Sequence, residues 1–314
     1  MEMKKVNVIF VSFCFAIAAS VLIFFGCSKK RITKTTLIAY EQPYGYLDSK
    51  KVAEQDFKID SAGTGPIVGN QGTRIWAGKN CLVKPNGDTI KYPFNVKLVE
   101  LYTPKDMIYY NMLTMASGNI LETSGVIRLR AFKDTTELVL KKGGCYATVE
   151  FLNPAPKSNY MRVFYGYSPA AGYFDFSDDP ATAGAATGLN PVFSTTTTPS
   201  GYIGSIGKLG WINCGTKVSL ASSSVLTFTS SVDDLTNVAI FVYLPATRSI
   251  IEAYNLSTVQ IPNGSAVKIV AIALDTNNQI YSFSQNLTVT AAQQISITMS
   301  ATTDADLTAL LDGL

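Results

Sequence analysis

Apolar and polar residues alternate through much of this 314-residue chain. Phe94–Leu98 sets Phe94, Val96 and Leu98 against Asn95 and Lys97, and then Val99 and Leu101 are both apolar. Val126–Ala131 sets Ile127, Leu129 and Ala131 against Arg128 and Arg130; Cys145, Ala147, Val149 and Phe151 share one face of the next stretch. A period of two buries one face of a sheet, so these stretches predict strands. Pro85-Asn86-Gly87-Asp88 and Lys142-Gly143-Gly144 supply turns between them. Strand patterns return at Val225–Thr229, Val238–Leu244, Val267–Leu274, Ile280–Phe283, Leu287–Thr290 and Ile295–Met299. Val238–Leu244 is almost continuously apolar, as a strand covered on both faces would be. Thr303-Asp304 caps a short terminal helix whose apolar residues are Leu307, Leu310 and Leu311.

The region between the two strand-rich parts has a different texture. Pro156, Pro169, Pro180 and Pro191 break it, Ser194–Thr198 is low in complexity, and glycines stand at Gly201, Gly204, Gly207 and Gly210. It reads as loop. Ser28–Asp60 is polar with Pro43 and Gly45 and reads as a tether with one strand near Leu37–Tyr40. The expected fold is therefore all-β: two β-sandwich domains joined by a loop-rich aromatic segment, with a short C-terminal helix. The division is leader 1–26, tether 27–62, first sandwich 63–155, connecting segment 156–224, second sandwich 225–300 and helix 301–314.

The leader has Lys4 and Lys5 ahead of an uncharged Val6–Gly26, and Phe24-Phe25-Gly26-Cys27 resembles the lipobox of bacterial lipoproteins. A small residue before a cysteine suits the signal peptidase, and the Cys27 thiol would take the lipid. A signal anchor is the competing reading, because the stretch is nearly long enough to span a bilayer. Lys29, Lys30, Arg31 and Lys34 follow the stretch while only two lysines precede it, the wrong asymmetry for an exported anchor. The lipoprotein is the reading taken, with membrane lipid as a partner through Cys27 and the outer membrane, at its periplasmic face or the cell surface, as the location.

Composition narrows the chemistry. There is no histidine, which excludes Ser-His-Asp and Cys-His nucleophiles and histidine-ligated zinc. The net charge is only +3, so nucleic acid is not an expected partner. Beyond the leader, Cys81, Cys145 and Cys214 join Cys27. Three thiols allow at most one disulfide among them, and their spacing does not decide whether Cys81 and Cys145 pair.

The run from Gly72 to Phe132 resembles a module of Bacteroidetes surface lipoproteins. The residues that carry this are Gly72, Thr73, Asn86, Gly87, Glu100, Leu101, Tyr102, Asp106, Met107, Leu121, Glu122, Thr123, Gly125 and Ala131. The module is similar to the ZU5 domain of eukaryotic scaffold proteins, which implies a β-sandwich used for contacts. Leu209–Cys214, "LGWINC", matches a further shared segment, although Gly215-Thr216-Lys217 replace the Asp-Arg-Phe that usually follows. "IPNGSAVKIVAIA" and "IYSF" resemble a closing domain of the transthyretin or carboxypeptidase-regulatory type. The resemblance also implies O-glycosylation at Asp-Ser/Thr motifs, here Ser61, Thr89 and Thr135.

Candidate chemistry outside the resemblance is sparse. Ser205-Ile206-Gly207-Lys208 is a Ser-x-x-Lys, but no later Lys-Thr-Gly exists and the glycines oppose the helix it needs. Asp178-Asp179, Asp233-Asp234 and Asp304/Asp306 sit at turns or caps, as solvated acids do. No metal site, cofactor or catalytic residue is expected. The aromatics Tyr165, Tyr167, Tyr173, Phe174 and Trp211 could stack on sugar faces or pack between sandwiches. The functional expectation is a non-enzymatic structural or interaction module of the cell envelope, its partners envelope proteins or polysaccharide. The alternatives are a glycan-binding accessory lipoprotein of a polysaccharide uptake system and, more remotely, a histidine-free hydrolase.

Overall fold

In the computed structural model, residues 37–61, 65–153, 160–171, 173–197 and 200–314 are described. The leader and Cys27 therefore lie outside the described residues. Strands dominate, in three main sheets, with short helices at Tyr44–Ser49, Pro104–Tyr109, Pro180–Ala183 and Asp304–Asp312. The fold is all-β with a short C-terminal helix.

The first sheet runs Gln55–Ile59, Phe94–Leu101, Asn119–Lys133, Gly210–Lys217, Arg162–Tyr167, Asp175–Ser177 in spatial order. The second runs Ser194–Thr197, Ser200–Ile206, Ala147–Leu152, Arg74–Trp76, Ile67–Val68. Between them lies a core of Phe94, Val96, Leu98, Ile127, Leu129, Val149, Phe151 and Tyr202. The third sheet runs Ser249–Glu252, Ala239–Leu244, Ala266–Leu274, Ile280–Thr288, Ser300–Thr302. One of its faces packs on Leu226, Phe228, Ile295 and Ile297, where the Leu226–Thr229 and Gln293–Ser296 strands pair in parallel. Ala239–Leu244 is buried at every position, with Ile240 and Val242 on this side and Phe241 and Tyr243 on the other.

That other side faces the first sheet. A middle core joins Val99, Leu101 and Val126 to Phe241, Ile250, Val270 and Ile272, with Met107 and Ile108 of one helix and Leu307 and Leu311 of the terminal helix. The change within Phe94–Leu101 from alternation to a doubly apolar end thus marks where the second sandwich begins to cover the sheet. Leu37–Leu314 forms one compact unit with this shared core.

Two boundaries read from the sequence change. The region 156–224 is not a connector: Arg162–Tyr167 and Gly210–Lys217 pair with each other, and Gly210–Lys217 pairs with Asn119–Lys133 at the centre of the first sheet. Ser200–Ile206 likewise pairs with Ala147–Leu152. Gly166, Gly201 and Gly204 mark close packing within strands: a Cβ on Gly204 would lie 2.6 Å from the Phe193 ring. The described part of the 27–62 tether is also built in. Ile38 bridges to Asp233, Glu41 pairs with Leu274, and Gln55–Ile59 is an edge strand of the first sheet.

Thr73, Glu100, Tyr102 and Gly125 come together around one buried carboxylate. Glu100 is 1% exposed; its Oε1 accepts the Thr73 amide at 2.9 Å, and its Oε2 accepts the Gln71 amide at 2.9 Å and Gln55 Nε2 at 2.8 Å. The Thr73 and Tyr102 hydroxyls pair at 2.8 Å, and a Cβ on Gly125, whose φ is +143°, would lie 2.6 Å from the Tyr102 ring. A buried carboxylate persists only when its lone pairs are filled, and here backbone donors of the Gly69–Thr73 turn fill them. "LGWINC" is part of the central strand, with Ile212 and Cys214 in the first core and Trp211 on the opposite face.

Cys81 and Cys145 form a disulfide with a Cα–Cα distance of 5.1 Å, and Cys214 is a buried free thiol. The pair closes a loop with a sequence separation of 64. Chain-entropy arithmetic for such a loop gives about 4 kcal/mol, so replacing both cysteines by serine should lower unfolding free energy by that order in denaturant titration. Glu100→Ala should cost about 3 kcal/mol in the same assay, because the Thr73 and Gln71 amides lose their acceptor inside the fold. Native-like stability of that variant would refute the role given to Glu100.

Candidate functional site

The aromatics singled out from sequence divide by strand periodicity. Tyr165 and Tyr167 lie two apart on Arg162–Tyr167, on the face turned to the first core. Tyr165 is buried there, its hydroxyl accepting the Gly207 amide at 2.9 Å, and Tyr167 is half-buried. Gly166 between them faces the opposite way, and this makes room for a ring. A Cβ on Gly166 would lie 2.6 Å from the Phe174 ring and 2.7 Å from Trp211 Cβ. Phe174 therefore lies on the sheet beside Trp211, edge-to-face with the buried Phe176 at 5.1 Å. Trp211 is half-buried, with Tyr110 edge-on at 5.7 Å and the Arg128 guanidinium over it at 5.1 Å.

Tyr173 and Phe174, 69% and 41% exposed, form one wall of a cleft of ≈ 410 Å³ whose other lining residues are Asn111, Leu113 and Tyr254. Each wall is held by tight local geometry. Thr103 caps the Pro104–Tyr109 helix, accepting the Asp106 amide at 3.1 Å, with Pro104 at its first position. The helix ends with Asn111 at φ 47°, Asn111 N bonded to the Ile108 carbonyl at 2.9 Å and Met112 N to that of Met107 at 2.7 Å. That is a Schellman cap, and it delivers Asn111 and Leu113 to the cleft. Tyr254 and Ser257 exchange backbone bonds of 2.9 and 3.0 Å across Asn255 and Leu256, both at positive φ. This hairpin turn projects the Tyr254 ring, which is 61% exposed.

Behind the rings, Glu252 is 4% exposed and accepts the Tyr44 hydroxyl. Burial pushes the Glu252 carboxyl up from its ordinary range, while the Tyr44 bond opposes the shift. Burial, then the Glu252 and Tyr173 charges, push the Tyr254 phenol up. The volume falls within the range of small-ligand sites, and exposed rings suit ligands with flat apolar faces. A second groove of ≈ 490 Å³ at the first sandwich has a mixed lining that includes Ile67, Ile75, Ser61, Lys79 and Asn80, with one ring, Tyr92.

The other candidates take structural places. Lys208 Nζ donates to the Ala183 carbonyl at 2.6 Å and the Gly166 carbonyl at 3.2 Å, and burial pulls its ammonium down. Ser205 lies in a strand opposite Thr148 and not at a helix start. Asp178 pairs with Lys217 and Arg162, Asp179 and Asp234 cap short helices, and the buried Asp233 accepts Tyr40 and Met299. Among the described residues no three His, Cys, Asp or Glu side chains are grouped to hold a metal. Ser61, Thr89 and Thr135 are all exposed; Ser61 and Thr135 lie at bends or turns beside the Ile59–Phe94 and Lys133–Thr136 pairs, and Thr89 bridges to Val83.

Tyr254, Asn111 and Leu113 were not singled out by sequence. Tyr254 stands alone among aliphatic strand residues, and only the Asn-containing turn after it hints at projection. Gly166→Ala should displace the Phe174 ring, lowering stability by about 1–3 kcal/mol and shifting tryptophan emission. Unchanged emission and melting would contradict the packing described. No family model, curated protein or solved structure matches the chain.

Proposed function

We propose that this protein is a lipid-anchored, non-enzymatic binding module of the cell envelope, and that its aromatic cleft takes carbohydrate. The carrying observation is the set of exposed rings, Tyr173, Phe174 and Tyr254, around a cleft of ≈ 410 Å³. Three rings stranded at a surface lose apolar burial that a folded chain ordinarily gains, and a sugar's C–H face restores it. The lipobox-like Phe24–Cys27 supports the anchor, and the outer membrane is the location that goes with it. The Cys81–Cys145 disulfide supports export to an oxidising compartment. No helix of the described residues is long and apolar enough to cross a membrane. A scaffold role is the second reading, favoured by Tyr165, Phe164 and Phe176, which are buried in the two cores flanking the first sheet.

A glycan array and affinity electrophoresis on a polysaccharide panel test the proposal. Tyr173→Ala, Phe174→Ala and Tyr254→Ala should each weaken binding roughly tenfold. Tyr165→Phe, altering a ring in the first core, should leave binding unchanged. A folded protein that binds no saccharide would leave the scaffold reading in place.

A further inference from the structure

The cleft also carries information about the charge of its ligand. None of its five lining residues, Asn111, Leu113, Tyr173, Phe174 and Tyr254, is basic. One buried carboxylate lies behind it. Glu252 precedes Tyr254 by two positions on an extended chain, and Ala253 between them turns to the opposite core, so Glu252 and Tyr254 share a face. The basic side chains along the same strip are committed elsewhere: Arg128 to Glu54 at 3.3 Å and to the Trp211 face, and Lys51 to Asp48 and the Tyr110 ring. Burial first, and then the Glu252 charge, push the Tyr254 phenol up, so Glu252 lies close enough to act on the Tyr254 side of the cleft. Aromatic faces are themselves negative, so rings and carboxylates attract the same kind of ligand.

We propose that the cleft selects a cationic saccharide, an amino sugar whose ammonium lies among the Tyr173, Phe174 and Tyr254 rings on the Glu252 side, and turns away uronic acids. The inference rests on the saccharide reading of the cleft and adds the charge. Cation–π attraction and the partly desolvated carboxylate both act on the ammonium, whereas an acetylated nitrogen keeps the ring stacking and loses both. A carboxylated sugar meets like charge at short range.

Calorimetry on the full chain at near-neutral pH and low salt, with three tetrasaccharides, separates the outcomes. The probes are free-amine glucosamine, N-acetylglucosamine and galacturonic acid tetramers. The amine form should bind about tenfold tighter than the acetylated one, and the acid form should not bind. Tetramethylammonium should compete with the amine form. Glu252→Gln, which keeps an acceptor for Tyr44, should reduce the preference for the amine and leave the acetylated form unchanged. Tyr254→Ala should weaken both. Equal affinity for amine and acetylated forms overturns the charge inference and leaves saccharide binding standing. Binding of none of the three to folded protein overturns both. An amine preference untouched by Glu252→Gln and Tyr254→Ala places that binding outside the cleft and also overturns the inference.

Discussion

The fold depends on a sheet that is covered on one face throughout and on the other over only part of its length. Phe94, Val96 and Leu98 look into the first core, while Val99 and Leu101 look the other way into the core shared with the third sheet. Burying both faces removes a large apolar area from water and ties the two sandwiches into one unit. Where the coverage stops, Arg128, Trp211 and Phe174 remain on an open margin, shielded only in part. The aromatic cleft lies along that margin, so the proposed ligand site follows from the way the second sandwich overlaps the first.

Polar contacts hold this overlap in register. Glu100 fastens the Gly69–Thr73 turn to the same strand that changes from one-sided to two-sided burial. Arg248 of the second sandwich donates to the Tyr102 carbonyl at 2.9 Å, two residues beyond Glu100. Residues 37–54 cross both sandwiches: Ile38 and Glu41 bridge to the second, Tyr44 reaches Glu252, and Glu54 pairs with Arg128 of the first sheet. The chain that leads from the proposed anchor thus passes behind the cleft before it enters the first sheet.

Legibility from sequence followed how local each signal was. Alternation located Phe94–Leu101, the 126–131 part of Asn119–Lys133 and Ala147–Leu152, because one buried face imposes a period of two whatever packs on it. Thr303 and the leucines after it announced the terminal helix, since a cap and an apolar stripe are both local. The region 156–224 misled for a physical reason. Glycine ordinarily signals a turn, yet Gly166, Gly201 and Gly204 sit inside strands because a ring or a carbonyl occupies the space of a side chain. The neighbour that requires glycine is distant in the chain, as Phe151 is from Gly201. Polar composition misled in the tether in the same way, because strand addition at a sheet edge uses backbone groups that composition does not show.

Sequence by itself determined the all-β class, the terminal helix and the absence of histidine chemistry, because periodicity, capping and residue inventory need no partner. It also supplied Tyr173, Phe174 and Trp211 as candidates, though in company with Tyr165, which turned to the first core, and with the half-buried Tyr167. Only the tertiary structure separated these, since one residue of register decides which face a side chain takes. Only it paired Cys81 with Cys145 and brought Tyr254 to Tyr173 and Phe174 from about eighty positions away. Local pattern records whether a side chain meets protein or water; which distant side chain it meets is set by the packing of the sheets.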